Sequence, residues 1–366
     1  MAQTSATAPW PAGIAIRPPV AAGSDRVEVS DVLTGRRFHW RPRALAEAIL
    51  AQHQAAGSDA PQPPEPWDAA LRDRPEGSEL TQGWKHWLER GWHPSDQSYL
   101  ASRRWQYADS TDPGDRIRTA TIEEYLRRGG EPPREVLPDA PVVTLGEPAA
   151  PGSRSVGALL AGRRSGRAYV PRPTPLPVLS GLLWHGFADI RARRERSSPE
   201  EPLSYLDSFG SAWDVHATVY SVDGLPAGAY RYDLARHRLL AVNPGDHRAA
   251  MTDVLQGMRS PATAAWTVGL VADLPRYQWR YRHEHALRRL WFEAGLIGQE
   301  LIVLGSAYGL STLVTPAQKD RPYLSLHQLD DRRYAAVYTL TMGMSRGRAG
   351  VEFNGNDIEQ IPAVAP

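Results

Sequence analysis

Three arginines and a serine fall within five residues of the segment RRSGRAY at 163–169. A guanidinium fork matches two oxygens of a phosphate or carboxylate at once, and a serine hydroxyl adds a further donor. Arg163, Arg164, Ser165 and Arg167 thus form a candidate oxyanion cradle, although an isolated run of this kind is more often a solvated basic turn. A second chemically able stretch is RYQWRYRHEH at 276–285. Tyr281 there stands between Arg280 and Arg282, and nearby positive charge favours a phenolate. His283 and His285 offer imidazoles that titrate near neutrality. Arginine itself is a poor base because it stays protonated. The alternative is that Tyr281 and the histidines simply line the start of a surface helix. The two histidines are two positions apart, which does not place them on one helix face as a metal pair requires, so no metal site is expected.

The chain has 366 residues, enough for two domains, and 42% hydrophobic with 23% charged residues is ordinary globular composition. Net charge is +1, which gives no bias toward nucleic acid or acidic membrane. There is no cysteine, so disulfides, thiolate metal sites and cysteine nucleophiles are excluded. Neither a secretory signal nor an apolar run of spanning length is present, and a cytoplasmic location is the expectation.

The elements that must position these groups follow from periodicity. Residues 1–23 are Pro/Ala-rich and expected to be flexible. Arg26–Val32 reads as a strand, and 42–54 as a helix opened by Pro42. A second short helix is expected over 79–91, with Leu80, Trp84 and Leu88 at helical spacing. That pattern makes 24–107 a small winged-helix-like domain. Residues 108–154 read as a surface linker around one short helical segment. From 155 to 366 strands and helices alternate: helices at 156–162, 175–187 and 246–257, strands at 216–222, 229–232, 264–271 and 333–342, with DGLPAG at 223–228 as the turn. The helix expected over 286–308 carries Leu287, Leu290, Trp291, Ala294, Ile297 and Leu301 on one stripe, and Gly295, Gly298 and Gly305 would let another backbone or a flat ring come close. The whole is an α+β fold.

Five stretches, taken in order, resemble the SagB/ThcOx-type azoline dehydrogenase branch of the FMN-dependent nitroreductase superfamily. RRSGRAY with PLPVLSGLLWHGF (175–187) is similar to the segment and helix that open the nitroreductase fold. DSFGSAWDVHATVYSVDGLPAGAYRYD (207–233) resembles the branch's loop and hairpin; Ser208 and Gly210 fill matching places, and Asp214 stands where the family has Pro. LWFEAGLIGQELIVLGSAYGLST (290–312) matches at Glu293, Ala294, Gly295, Gln299, Gly309 and Leu310, with Leu296 and Glu300 replacing His and Asn. The final strand is followed by Arg346 and Arg348, where nitroreductases often place a phosphate-binding arginine. VSDVLTGRRF (29–38) and WLERGWH (87–93) look like the winged-helix-like front.

The resemblance implies a dimeric domain, a mixed sheet flanked by helices, with two FMN sites at the interface of a homodimer. It implies that Arg163, Arg164, Ser165 and Arg167 hold the phosphate and ribityl end, that Ser208, Phe209 and Gly210 face the isoalloxazine, and that Gln299, Arg346 and Arg348 complete the set. It implies oxidation of peptide azolines to thiazoles or oxazoles, a peptide substrate engaged through a leader sequence, and a cyclodehydratase partner. Such a step needs a base, which the branch supplies with a Lys-Tyr pair. Lysine is absent here, and Tyr281, Arg282 and His283 stand nearest the place. The alternatives are an NAD(P)H-dependent nitro- or quinone-type reductase, or a non-catalytic subunit of a peptide-modifying complex.

Overall fold

The computed structural model describes residues 14–17, 25–31, 36–54, 98–99, 116–163, 165–198, 200–207, 210–283 and 285–345. The chain divides into two compact units, Met1–Ala108 and Asp109–Pro366. In the first, β1 (Ile14–Arg17), β2 (Val27–Asp31) and β3 (Arg37–Trp40) pair antiparallel in that order. The helix α1 (Pro42–Gln54) follows, with Pro42 pre-setting the first helical φ. Ile14, Val29, Trp40, Leu45 and Ala48 form its core. Residues 14–17 were expected within a flexible terminus. They instead form an edge strand, because Ile14 is buried in that core. The helix expected at 79–91 and the WLERGWH stretch lie outside the described residues.

The second unit begins with α2 (Arg116–Gly129) and β4 (Val142–Thr144), followed by α3 (Val156–Gly162), α4 (Leu176–Gly186) and α5 (Ala188–Arg196). Then come β5 (Trp213–Val219), β6 (Gly228–Asp233), β7 (Arg238–Pro244), α6 (Arg248–Val254), β8 (Trp266–Asp273) and α7 (Leu274–Arg280). The long α8 (Ala286–Ala307), β9 (Leu310–Thr315), α9 (Asp320–Leu326) and β10 (Tyr334–Met344) complete it. Residues 116–154, expected as part of a surface linker, belong to the folded unit. α2 buries Ile122, and β4 pairs with β7 at the edge of the main sheet.

The seven strands run β4-β7-β6-β5-β8-β10-β9, and every ladder is antiparallel. A mixed sheet was expected. The difference has a local cause: short connections join β5, β6 and β7 in series, and a short connection can only join antiparallel neighbours. Parallel register survives as the isolated bridges Ser165↔Thr312 and Thr174↔Val222.

Both faces of the sheet are covered. Leu179, Leu182 and Leu183 of α4 and Leu290, Ala294, Ile297 and Leu301 of α8 pack on Trp213, Val215, Ala217 and Val219 of β5. On the opposite face, Met251 and Val254 of α6 and Tyr323 and Leu324 of α9 pack against Val271 and Ala336. Side chains alternate along a strand, so Asp214, His216 and Thr218 of β5 point to this second face, yet all three are buried. This face therefore carries polar groups that must be paired inside. Arg231 donates to Nε2 of His216 at 3.2 Å, and Thr218 Oγ1 lies 3.0 Å from Nε2 of His327. The two imidazole centroids are 5.0 Å apart. No described helix is long and apolar enough to cross a membrane.

Burial, Arg231 and the neighbouring imidazole hold His216 well below the usual histidine range; burial, His247 and Arg231 pull His327 down to about 3. A histidine depressed in the folded state is neutral in both states above about pH 6.5, and below that only the unfolded chain takes up the proton. Stability should thus be full above pH 6.5 and fall as pH drops from there toward the folded value, at about 1.4 kcal/mol per pH unit for each buried histidine. Urea unfolding between pH 7 and 5 measures the slope, and His327→Asn should remove roughly half of it. An unchanged slope in that variant would contradict the assignment.

Candidate functional site

The basic segment is fixed by what surrounds it. Ser155 caps α3 by accepting from the Ala158 N–H at 3.2 Å. The helix stops at Arg163, whose backbone is extended. The chain then runs beside β9, where the Gly166 N–H donates to the Thr312 carbonyl at 3.2 Å. A Cβ at Gly166 would lie 2.4 Å from the Ser311 Cβ, so no other residue allows this approach. The buried Tyr169 hydroxyl reaches the carbonyls of Gly166 at 3.0 Å and Thr341 at 2.9 Å, locking the segment from beneath. Burial pushes that phenol up, so it stays protonated as a donor. Arg163 is half-buried, while Ser165 and Arg167 are exposed. The Thr312 hydroxyl beside them is buried with no hydrogen-bond partner among the described residues. Two guanidinium groups and a serine hydroxyl on a pinned backbone suit the phosphate end of a flavin mononucleotide. Arg164, Arg346 and Arg348 lie outside the described residues.

The loop before β5 is held at a different place. Gly210 is buried with φ +75°, and a Cβ there would fall 2.5 Å from Ile190 Cγ1. Its N–H points at Glu293 Oε2 at 3.5 Å, and the Trp213 indole donates to the same oxygen at 3.2 Å. Arg289 holds the other oxygen at 3.0 Å. Burial raises the Glu293 carboxyl above its ordinary value, opposed by Arg289 and the Trp213 hydrogen bond. Glu293 therefore ties the loop to the first half of α8. The sequence places Glu293 in a motif but gives it no role; its burial opposite Trp213 is what reveals one. Ser208 and Phe209 lie outside the described residues.

Asp214, which stands where the resemblance has Pro, anchors a buried ion network. It pairs with Arg231 at 2.7 Å and with Arg276. Arg231 also pairs with Glu135, Arg194 holds Glu135 at 3.0 Å, and Arg333 holds Asp273 at 2.7 Å. Burial works to raise the Asp214 carboxyl, but Arg231, Arg276 and Arg194 together hold it below its ordinary value.

Tyr281 follows α7, with its ring 4.8 Å from that of Tyr277. Arg280 and Arg289 each stand 5.4 Å from the Tyr281 ring centre. Arg282 was expected to flank this ring. It turns away instead and stacks over Tyr125 at 3.8 Å while donating to the Trp279 carbonyl at 3.1 Å. The His283 ring lies 6.0 Å from Tyr281, and burial lowers its pKa. Gln299 is exposed on α8.

Among the described residues, the loop before β5 and the basic segment are anchored at different places along the chain. Gly210 and Trp213 meet α8 at Glu293, whereas Gly166 meets the strand that follows the helix. Fourteen helical residues separate Glu293 from Ala307, about 21 Å of rise. Between them α8 exposes Leu296, and nearer its start Leu287, Trp291 and Phe292, each at least 43% exposed.

A family model described as the nitroreductase family matches residues 160–344. The trifolitoxin operon protein TfxC of Rhizobium leguminosarum bv. trifolii is 26% identical over 279 residues, covering 70% of this chain and 73% of that protein. A nitroreductase crystal structure from Anabaena variabilis is 19% identical with a TM-score of 0.48; the match covers 61% of this chain and 47% of that one, so this chain spans about half its length. A chain of the E. coli microcin synthetase McbBCD complex with truncated pro-MccB17 bound is 15% identical with a TM-score of 0.41, covering 75% of this chain and 100% of that one.

Removing the Glu293 carboxylate should leave the Trp213 indole and the Gly210 N–H without their acceptor. Glu293→Ala should cost about 1–3 kcal/mol in urea unfolding, and Glu293→Gln, which keeps an acceptor oxygen, less than about 1 kcal/mol. Equal losses in the two variants would show that the tie is not made through that oxygen.

Proposed function

The chain belongs to the nitroreductase family, and from that premise we propose that it is an FMN-dependent dehydrogenase that oxidises azoline rings of a modified peptide to thiazoles or oxazoles. The family supports a flavin-dependent oxidoreductase. The observation that carries the flavin reading is the basic segment whose backbone is pinned to β9 by Gly166 and Tyr169, with Ser165 and Arg167 exposed on it. The peptide reading draws on the relative from the trifolitoxin operon and on the loop, hairpin and helix motifs of the branch.

FMN supplies a hydride acceptor when bound. Arg163, Ser165 and Arg167 would hold its phosphate, joined by Arg164, Arg346 and Arg348. Ser208, Phe209 and Gly210 would supply the ring-facing loop, with the Gly210 end tied to Glu293, and Gln299 stands on the same helix as Glu293. Tyr281, with Arg280 and Arg289 each 5.4 Å from its ring centre, takes the proton from the ring carbon of the azoline. His283, whose pKa burial lowers, is the second acceptor near the same ring, while Arg282 is engaged with Tyr125. The substrate gives up a hydride and a proton, two hydrogens in all.

The distance along α8 gives this site a particular composition. The phosphate donors of one copy and the ring-facing loop of another make one cavity in a homodimer, with Leu287, Trp291, Phe292 and Leu296 in the seam. A leader sequence and a cyclodehydratase are the partners such a peptide chemistry calls for.

Purified protein should be yellow with bound FMN. Arg163→Ala combined with Arg167→Ala removes two charge-assisted contacts of about 1.5–3 kcal/mol each, so FMN affinity should fall by about 100-fold or more. Tyr281→Phe should keep its flavin and lose about 10²–10⁴-fold in azoline oxidation, read as loss of two hydrogens by mass spectrometry. A flavin-loaded chain that leaves azoline peptides unchanged but turns over NADPH with a quinone would replace the substrate assignment. A colourless chain that takes up no FMN would remove the enzyme reading altogether.

A further inference from the structure

A cleft of about 360 Å³ opens beside the loop that precedes β5, lined among others by Asp207, Ser211, Tyr205, Trp279, Glu131 and Arg280. Its volume falls in the range of small-ligand pockets. Most of the cations around it are already matched. Arg194 pairs with Glu135, Arg276 with Asp214 and Asp273, and Arg134 with Glu131. Arg280 is the exception. It is half-buried at the end of α7, its Nε is shielded without a hydrogen-bond partner, and no described carboxylate lies within ion-pair distance. Its guanidinium stands 5.4 Å from the Tyr281 ring centre. Burial lowers its pKa, the mark of a cation that has given up water without gaining a counter-charge.

Such a group is complete only when an anion arrives. The rim decides which anion. Glu131 and Asp207 stand on the same cleft and disfavour a dianionic phosphate, whereas one carboxylate needs one guanidinium fork. The same two acidic side chains accept N–H donors, which a peptide carries at nearly every residue. Trp279 and Tyr205, with ring centroids 5.4 Å apart, supply an apolar wall for the body of the ligand. We propose that this cleft is a docking subsite for a carboxylate of a peptide ligand, anchored by Arg280. This rests on the peptide reading given above and adds to it the chemical group recognised. Arg280 directly precedes Tyr281, and Asp207 and Ser211 bracket the ring-facing loop, so the docked carboxylate fixes which bond of the peptide lies nearest that tyrosine. The carboxylate can come from an acidic side chain or from a free C-terminus.

The test is calorimetric titration of the full-length chain, as purified, with three short peptides. One carries a glutamate and is amidated, the second carries glutamine in its place and is amidated, and the third is neutral in its side chains but ends in a free carboxylate. Tighter binding of the glutamate peptide over the glutamine peptide by about 10-fold assigns the side chain as the source. The same preference for the third peptide assigns the C-terminus. In either case Arg280→Gln should abolish the preference with an unchanged melting temperature, and Arg280→Lys should keep part of it. Three equal affinities, or a preference that survives Arg280→Gln, overturns the proposal, as does displacement of all three alike by inorganic phosphate. Binding is read without turnover. A colourless chain that still prefers the carboxylate would sink the flavin reading alone, and a yellow chain without the preference would sink the subsite alone.

Discussion

A single rigid helix sets the distances on which everything else depends. α8 is held near its start by the Glu293 carboxylate, which engages the Trp213 indole, the Gly210 amide and Arg289. Past its end, β9 carries the Thr312 carbonyl that fixes Gly166. The loop is thus anchored on the first half of the helix and the basic segment on the strand that follows it. The chain thus carries two separately anchored segments. Each is built to a tight tolerance by a glycine that no side chain could replace, Gly166 against Ser311 and Gly210 against Ile190. The apolar residues that α8 leaves exposed are what a second copy would cover.

The second constraint is the charged side of the sheet. Asp214, Arg231, Arg276, Asp273 and Arg333 form a continuous set of pairs reaching from β5 to β10, with Glu135 and Arg194 closing it from outside the strands. Buried pairs of this kind add little net stability, but removing one member strands its partner at a cost of several kcal/mol. Their effect is to fix geometry. Arg276 and Asp273 set the start of α7, and α7 delivers Trp279, Arg280 and Tyr281 to one edge of the cleft. Asp214 is thereby a structural anchor, and a proline at that place would leave Arg231 and Arg276 without their central carboxylate.

Strongly periodic segments were legible in the sequence. α1 occupies Pro42–Gln54 and α3 Val156–Gly162 as expected, α8 runs to Ala307, and the GLPAG turn joins β5 to β6. What escaped were short or polar elements: β4 among prolines, β9 directly after the glycine that ends α8, and α5 with its arginine-rich sequence. Their hydrophobic pattern is too brief to show a period, and tertiary pairing decides them. The stripe drawn on α8 was half right. Leu290, Ala294, Ile297 and Leu301 are core, while Leu287 and Trp291 face outward, because the stripe spans more than the sheet can cover. In the basic segment, the spacing of RRSGRAY gives no sign of the Gly166–Thr312 contact that pins its backbone. Tyr281 was flagged by its neighbours in sequence, yet the second arginine at its ring is Arg289, one helix away, and Arg282 serves Tyr125 instead. Contacts between distant segments, Glu293 with Trp213 above all, leave no trace in local spacing.

The shared site is tested most directly by complementation between two damaged copies. A chain carrying Arg163→Ala and Arg167→Ala is co-expressed with a differently tagged chain carrying Gly210→Ala, and the mixed species is isolated through both tags. Each variant alone should hold almost no flavin, whereas the mixed dimer should regain one intact cavity and bind about one FMN per pair. A mixed dimer as empty as its parents would contradict the account, and so would a single copy of the chain that binds FMN on its own.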